Sequence, residues 1–214
     1  MEYFKNNSIV VFGMGRSGTN ALSEKLAVEY CKDTHLYIRE PFSINEYNIS
    51  FKDKKFSFFP ITDYQSVKLR NKILNKIARH NKFIMNISSN SLTVDTLKLL
   101  KNLNCKFVLI ERKNYVERFL SHFLAIQNRN HHGPSIHYAK DTFSIGLEVL
   151  NEHKLSYIKY LKLLKKIQFE EKYIYEDCKF NTTTYKSNYN LPKEQYFKNI
   201  TIIKKFLDNM VKSQ

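Results

Sequence analysis

Residues that favour flexible or irregular chain are scarce in this sequence. Its 214 residues include only 5 glycines and 4 prolines, and it has no low-complexity tract, Gly/Ser linker or internal repeat. Their absence argues against a disordered protein, a repeat protein or a series of linked modules. Hydrophobic residues make up 43% of the chain, which is enough for a sizeable core. We therefore expect one globular domain that spans residues 1–214.

Cysteines and long apolar segments are scarce as well. The three cysteines, Cys31, Cys105 and Cys178, lie far apart and form no C-x-x-C pair. An odd number of separated thiols is typical of a reducing, cytosol-like compartment. No apolar run approaches the roughly 18 residues of a membrane span, and the first residues lack the pattern of a signal peptide. We expect a cytoplasmic protein without a membrane anchor.

Acidic residues are outnumbered, because 20 Asp and Glu stand against 35 Lys and Arg, which gives a net charge of +15. Such an excess attracts polyanions: nucleic acid, acidic lipid, an anionic cofactor or an anionic glycan. The lysines are spread along the chain, and most tyrosines and phenylalanines fall on apolar stripes rather than between exposed cations. Because single-stranded nucleic acid is bound by aromatic residues interleaved with cations, we expect no nucleic-acid partner.

Short apolar runs alternate with amphipathic segments along most of the chain. The runs predict strands at residues 9–12, 35–38, 82–87, 105–110 and 172–175. The amphipathic segments predict helices at residues 18–30, 64–80, after a cap at Ser91, from residue 114, and at residues 143–168 and 198–212. Residues 43–60 have a weak pattern and are expected to form an extended or mobile connection. This alternation predicts an α/β fold whose mainly parallel β-sheet carries helices on both faces, with ligands at the carboxyl ends of the strands.

The stretch from Gly13 to Thr19 separates the first predicted strand from the first predicted helix, and it reads Gly-Met-Gly-Arg-Ser-Gly-Thr. In such a loop, backbone N–H groups and the positive end of the new helix hold phosphate. Its glycines let the backbone wrap closely around an anion. The predicted phosphate-binding residues are Gly15, Arg16, Ser17, Gly18, Thr19 and Asn20.

The spacing Gly13-x-x-x-x-Gly18 matches half of the nucleotide P-loop, G-x-x-x-x-G-K-[ST]. Thr19 stands where that motif has lysine, and Asn20 stands where it has the magnesium-binding hydroxyl. The cation here is Arg16, which lies inside the loop. Such a loop is poorly equipped for ATP–Mg²⁺, so a P-loop kinase of a small substrate is the weaker alternative.

The residues from Gly13 to Thr19 also resemble the 5′-phosphosulfate loop of sulfotransferases, commonly G-x-x-[RK]-S-G-T. A second motif extends the resemblance, because Arg112 and Lys113 follow a predicted strand and Ser121 lies on the next helix. Together they resemble the 3′-phosphate motif of that family, in which a basic residue precedes a serine by eight or nine positions. Lys113 has the first spacing and Arg112 the second, so either could be the main ligand, and Arg112 is favoured.

Two shorter matches support the resemblance. The segment Arg39-Glu40-Pro41-Phe42 follows the second predicted strand, where many relatives carry a similar segment near the acceptor. The segment from Ile174 to Asp177 matches a Y-E-D strand end that is frequent in the superfamily. The landmarks therefore run from residue 9 to residue 177, which is most of the chain.

The resemblance implies a fold of P-loop, sulfotransferase type and an activity that needs no metal. The implied reaction moves a sulfuryl group from 3′-phosphoadenosine 5′-phosphosulfate (PAPS) to a hydroxyl, or less readily an amine, of a small-molecule, glycan or lipid acceptor. Arg16 would stabilise the charge on the departing oxygen, and Glu40 would act as general base. Arg112, Lys113 and Ser121 would bind the 3′-phosphate.

Other candidate residues receive weaker roles. The histidines at positions 131, 132 and 137 have no acidic or thiol partner at ligand spacing, so they favour acceptor lining, with Gln127 and Tyr138, over a metal site. Glu176 and Asp177 are interpreted as structural carboxylates. Outside enzymes, the alternative is a basic protein that binds nucleic acid or sulfated glycan through a relict loop.

Overall fold

The protein has an α/β fold in which a five-stranded, all-parallel sheet is flanked by helices, as the sequence predicts. The computed structural model describes residue 4 and residues 6–30, 35–42, 47–51, 54–58, 64–79, 81–89, 91–127, 142–180 and 192–212. The chain divides into two compact units, here called the sheet unit (Met1–Glu111 with Lys166–Phe180) and the helical unit (Arg112–Lys165 with Asn181–Gln214). That the chain forms one domain stays a prediction.

The sheet unit contains all the strands of the described residues. They are β1 (Ile9–Gly13), β2 (His35–Arg39), β3 (Tyr47–Phe51), β4 (Lys54–Phe58), β5 (Lys82–Ser88), β6 (Lys106–Glu111) and β7 (Glu171–Ile174). The parallel sheet has the order β2-β5-β1-β6-β7, so β1 is its central strand. All five residues of β1 are buried, as expected for an apolar run between two parallel neighbours.

The order of the strands creates a switch point at β1. The strands that follow β1 along the sequence first build one side of the sheet, with β2 and β5, and later the other side, with β6 and β7. Gly13, the last residue of β1, is paired in register with Ser88, the last residue of β5. Ligands of open parallel sheets bind at such a point, beyond the carboxyl ends of the strands.

Helices of the sheet unit pack beside these strands. They are α1 (Thr19–Tyr30), α2 (Tyr64–Ala78) and α3 (Val94–Asn102). Leu22, Leu26 and Tyr30 of α1 join β1 residues in one buried apolar cluster. The predicted cap of α3 at Ser91 is wrong. Thr93 caps this helix, because its side chain accepts a hydrogen bond from the backbone N–H of Thr96.

Residues 43–60 were predicted to form an extended or mobile connection. They contain a β-hairpin instead, so this prediction was wrong. Strands β3 and β4 pair antiparallel, from Tyr47 opposite Phe58 to Phe51 opposite Lys54, with two residues between the strands. Two residues are the commonest length of a hairpin connection. Residues 47–51 alternate strictly between apolar and polar side chains, so a local strand signal was present at β3, whereas β4 begins with two lysines and alternates only over its last residues.

The helical unit contains α4 (Tyr115–Gln127), α5 (Leu147–Leu164) and α6 (Ile200–Lys212). Their apolar faces share one core, which includes Phe119, Leu150, Leu207 and Met210. Helix α5 begins later than the predicted residue 143. The backbone N–H of Phe143 instead donates to the carbonyl of Tyr196 at 3.0 Å, and its carbonyl accepts from the N–H of Lys198 at 2.9 Å. Phe143 therefore lies outside the helix.

None of the helices in the described ranges is long and apolar enough to cross a membrane.

Candidate functional site

The loop after β1 lies at the carboxyl edge of the sheet and leads directly into α1. The backbone N–H of Ser17 donates to the carbonyl of Met14 at 3.1 Å, which closes a tight turn inside the loop. The carbonyl of Gly13 accepts from the backbone N–H of Ser89, which follows β5, at 3.0 Å. Ser17 and Thr19 are buried, whereas Arg16 is exposed. The loop is therefore closed by an internal turn and anchored to the residue after β5, and its arginine is exposed.

Two of the loop glycines are required by their surroundings. A Cβ on Gly13 would lie 2.7 Å from the carbonyl oxygen of Ile110, so a side chain there would push β1 and β6 apart. Gly18 has a φ of 92° and would place a Cβ against the ring of Tyr175. L-residues rarely adopt that backbone conformation. Tyr175 belongs to the Y-E-D segment, so this segment closes over the loop.

Arg16 itself has a φ of 66°, in the left-handed region. Residues with a side chain adopt that region at a cost of roughly 1–2 kcal/mol and are concentrated at functional sites. The first turn of α1 contains no acidic residue. No carboxylate of that turn therefore lies at the positive end of the helix dipole, where the first N–H groups of a helix have no partner inside the helix.

Glu40 follows β2 at the same edge of the sheet. The pairing of β2 with β5 slips by one residue just before it, because Tyr37 lies opposite Ile84 but Arg39 lies opposite Met85. Arg39 has a φ of 58° at this irregularity. A bulge of this kind turns the strand and redirects the next side chain.

The carboxylate of Glu40 is held by a buried amide. The Nδ2 of Asn86, in the middle of β5, donates to Glu40 Oε1 at 3.0 Å and to Asn20 Oδ1 at 2.5 Å. Its Oδ1 accepts from Ser23 Oγ at 3.2 Å. Asn86 and Ser23 are both 0% exposed. Since a carboxylate only accepts, the amide has one orientation, with its nitrogen toward Glu40 Oε1 and Asn20 Oδ1 and its oxygen toward Ser23.

Two further contacts complete what we call the Asn86 network, which consists of Asn20, Ser23, Tyr37, Glu40 and Asn86. Ser23 Oγ lies 2.9 Å from the carbonyl oxygen of Asn20 and 3.0 Å from the Tyr37 hydroxyl. Because Ser23 uses its single proton toward the two oxygens of Asn20 and Asn86, the Tyr37 hydroxyl donates to Ser23. The network joins β2, β5 and the first two turns of α1.

Glu40 is also fixed from the residue that follows it. Arg70 of α2, which is 2% exposed, donates from Nη1 to the carbonyl oxygen of Pro41. Pro41 and Phe42 are buried. The segment that carries Glu40 is therefore held by a buried cation on one side and a buried amide on the other.

The predicted 3′-phosphate residues lie in the helical unit. Arg112 directly follows β6 and is half-buried, and its neighbour Lys113 is exposed. Ser121 lies on α4 and is 5% exposed. The assignment of these three residues to a 3′-phosphate stays a prediction.

Predicted residues of lower rank are only partly described. Positions 131, 132 and 137, Tyr138 and the side chain of Gln127 lie outside the described residues. Glu176 and Asp177 are exposed in a short 3₁₀ turn after β7. Within the described ranges, no three His, Cys, Asp or Glu side chains are grouped as metal ligands. Burial raises the pKa of the Cys105 thiol to about 12, so it is not a reactive nucleophile.

Sequence reasoning missed three residues that shape this site, Ser23, Arg70 and Asn86, and it gave Tyr175 only as part of the Y-E-D segment, without its contact to Gly18. One signal was present, because Asn86 is a polar residue inside the otherwise apolar run of β5. A buried polar residue in a central strand requires partners, and here those partners are Asn20, Ser23 and Glu40.

Neither protein-family models nor curated proteins gave a match to this chain.

Proposed function

We propose that the protein is a sulfotransferase that moves a sulfuryl group from PAPS to an acceptor hydroxyl without a metal ion. The observation that carries the proposal is the loop from Gly13 to Thr19, which has the residue types of a 5′-phosphosulfate loop. It lies at the switch point of a parallel sheet, ahead of a helix whose first turn has no acidic residue. A carboxylate that can accept a proton, Glu40, is linked to this helix through Asn86.

The roles of the residues follow from their chemistry. Loop amides and the start of α1 bind the 5′-phosphosulfate, and Arg16 stabilises the negative charge left on the phosphate oxygen when its bond to sulfur breaks. Glu40 accepts the proton of the acceptor hydroxyl as the acceptor oxygen bonds to sulfur. The products are a sulfated acceptor and 3′-phosphoadenosine 5′-phosphate.

The experiment is a binding comparison by calorimetry. We expect 3′-phosphoadenosine 5′-phosphate to bind equally well in EDTA and in magnesium, and to bind more tightly than ATP–Mg²⁺. Arg16→Ala should weaken binding by about 10- to 100-fold, the effect of losing a contact to a charged group. Arg79→Ala removes an exposed arginine from the end of α2, and it serves as the charge-matched control.

Each alternative predicts a different result. Tighter binding of ATP–Mg²⁺ would support a P-loop kinase instead. Equal weakening by Arg16→Ala and Arg79→Ala, with heparin or DNA bound more tightly than either nucleotide, would support a polyanion-binding protein. For the 3′-phosphate residues, Arg112→Ala and Ser121→Ala should weaken the bisphosphate more than adenosine 5′-phosphate, and a larger effect of Lys113→Ala would make lysine the main ligand.

A further inference from the structure

The buried amide of Asn86 lies between two oxygens that belong to different parts of the site. One is Oδ1 of Asn20, in the first turn of α1, and the other is Oε1 of Glu40, just after β2. Both bonds come from the same nitrogen, at 2.5 and 3.0 Å. The two N–H groups therefore present partial positive charge to an oxygen of the loop helix and to a carboxylate at once.

In P-loop nucleoside triphosphatases, a magnesium ion is held by oxygens of comparable origin. One comes from the hydroxyl residue that directly follows the loop lysine, and another from a carboxylate at the edge of the sheet. In this chain Asn20 occupies the position of the hydroxyl residue, and Glu40 supplies a carboxylate at that edge. Asn20 Oδ1 is engaged by the amide, so a cation there would have to displace Asn86.

We propose that the Asn86 side-chain amide takes the place of a metal ion and positions the Glu40 carboxylate relative to the phosphate loop. The amide supplies positive charge to both oxygens without a cation, and its position in a central strand fixes both distances. Ser23 holds the amide in this orientation by donating to its oxygen. Asn86 is a positioning residue, since it acts on the reaction through Glu40. The inference rests on the proposed function for the identity of the loop's ligand and for the role of Glu40 in the reaction.

The substitution Asn86→Asp tests this role directly. It removes both N–H donors and places a second carboxylate, on the fully buried residue 86, beside the half-buried Glu40 and Asn20 Oδ1. Two like charges this close, one of them buried, favour a cation or a proton between them. We expect the melting temperature of N86D in EDTA, at neutral pH, to fall by more than about 5 °C, and millimolar Mn²⁺ to restore at least half of the loss. Electron paramagnetic resonance should detect Mn²⁺ bound to N86D and not to the wild type.

A swap of amide and carboxylate keeps the test decisive if N86D fails to fold. The double variant E40Q/N86D puts the amide on residue 40 and the carboxylate on residue 86, so one donor again faces one acceptor. Its melting temperature in EDTA should return to within about 3 °C of the wild type, with no response to Mn²⁺. Asn81→Asp, just before β5, is the control for the same substitution outside the network.

Three results would overturn the proposal. They are an N86D protein as stable as the wild type in EDTA, a response to Mn²⁺ that is equal in N86D and N81D, and a double variant no more stable than N86D. All the measurements are made without nucleotide or acceptor. A failure of sulfuryl transfer therefore leaves this inference standing, and a failure here leaves the nucleotide comparison to be judged by its own result.

Discussion

The Asn86 network of the sheet unit and the cluster around His153 in the helical unit bury polar groups in different ways. In the sheet unit, a neutral amide and hydroxyls bond one another and lead to a carboxylate at the strand edge, as the Asn86 network does. In the helical unit, a guanidinium and an imidazole are buried among aromatic rings. Arg118 lies 4.5 Å from the ring centroid of Tyr115, and Phe119 packs edge-on against His153, with ring centroids 4.6 Å apart.

The chemistry of His153 shows what this second arrangement requires. Its Nε2 lies 2.7 Å from the Tyr115 hydroxyl and 3.1 Å from Nη2 of Arg118. Since a guanidinium only donates, Nε2 is the acceptor and the ring is neutral. Burial lowers the pKa of His153 to about 3, and the charges of Arg118 and His122 add to the effect. Burial also lowers the pKa of Arg118 and raises that of Tyr115 to about 12.

The difference separates a positioning network from a core cluster. The Asn86 network ends at groups beside the candidate ligand loop, and the carboxylate that it fixes can take part in a reaction. The second one lies among the apolar residues of α4 and α5, where a neutral imidazole and a cation over an aromatic face support packing. We interpret the helical-unit cluster as structural. Substitutions in the two units should therefore fail in different ways.

The largest effect is expected for Gly18→Ala in the sheet unit. A left-handed φ costs a residue with a side chain about 1–2 kcal/mol, and overlap with the Tyr175 ring adds about 1–3 kcal/mol. Together they should lower the free energy of unfolding by about 2–5 kcal/mol, as measured by urea denaturation.

Gly146→Ala, in the helical unit, is the matched control. A Cβ there meets no atom within 4 Å, and the φ of Gly146 is −69°, so the loss should stay below about 1 kcal/mol. Adding Tyr175→Ala to Gly18→Ala should recover the packing part of the loss and leave the backbone part. Equal losses for the two glycines would contradict the close packing of the loop.

The next effect concerns pH. Because the folded pKa of His153 lies near 3 and the usual value is 6.5, the unfolded chain binds more protons between these limits. Stability is then present above pH 6.5 and is lost as pH falls toward 3. Between pH 7 and pH 4.5, the wild type should lose about 2–3 kcal/mol more than His153→Gln, which keeps an acceptor for Arg118 but cannot titrate. Parallel curves of stability against pH for the two proteins would show that His153 is not held neutral.

The smallest effect is expected at the surface of the helical unit. Lys204 and Glu194 form an ion pair at 2.7 Å, but their side chains are 42% and 50% exposed. Lys204→Ala should change the free energy of unfolding by less than about 0.5 kcal/mol. Lys193, which pairs with Glu117 and is only 12% exposed, should cost more when replaced by alanine. Thermal denaturation of the two alanine variants compares their losses of stability. A larger loss for Lys204 than for Lys193 would argue against burial as the cause of the difference.

Local patterns predicted most of the regular elements. Each apolar run that was predicted as a strand is observed within one or two residues, because a buried parallel strand needs apolar side chains on both faces. Where tertiary bonds compete, local patterns fail. Phe143 is bonded to Tyr196 and Lys198 instead of entering α5. Strand β3 is a different case, because its residues 47–51 alternate as a strand does and this local signal was not used.

The candidate site was found only in part for the same reason. Its glycines mark the loop, because backbone geometry is a local property. The partners of Asn86 lie 66, 63 and 46 residues away along the chain, at Asn20, Ser23 and Glu40. No periodicity connects them. In the sequence alone, Asn86 therefore only interrupts an apolar strand, and its bond to Glu40 cannot be predicted.

By itself, the sequence determined that the chain folds as strands alternating with helices and that a glycine-rich loop precedes the first helix. Hydrophobic periodicity and the steric freedom of glycine act over a few residues, so both can be recognised within a short segment of the sequence. Only the tertiary structure decided that β1 is central, that Tyr175 covers Gly18 and that Asn86 joins Asn20 to Glu40. These depend on which strands pair and on hydrogen bonds between distant residues, which form only when the sheet has assembled.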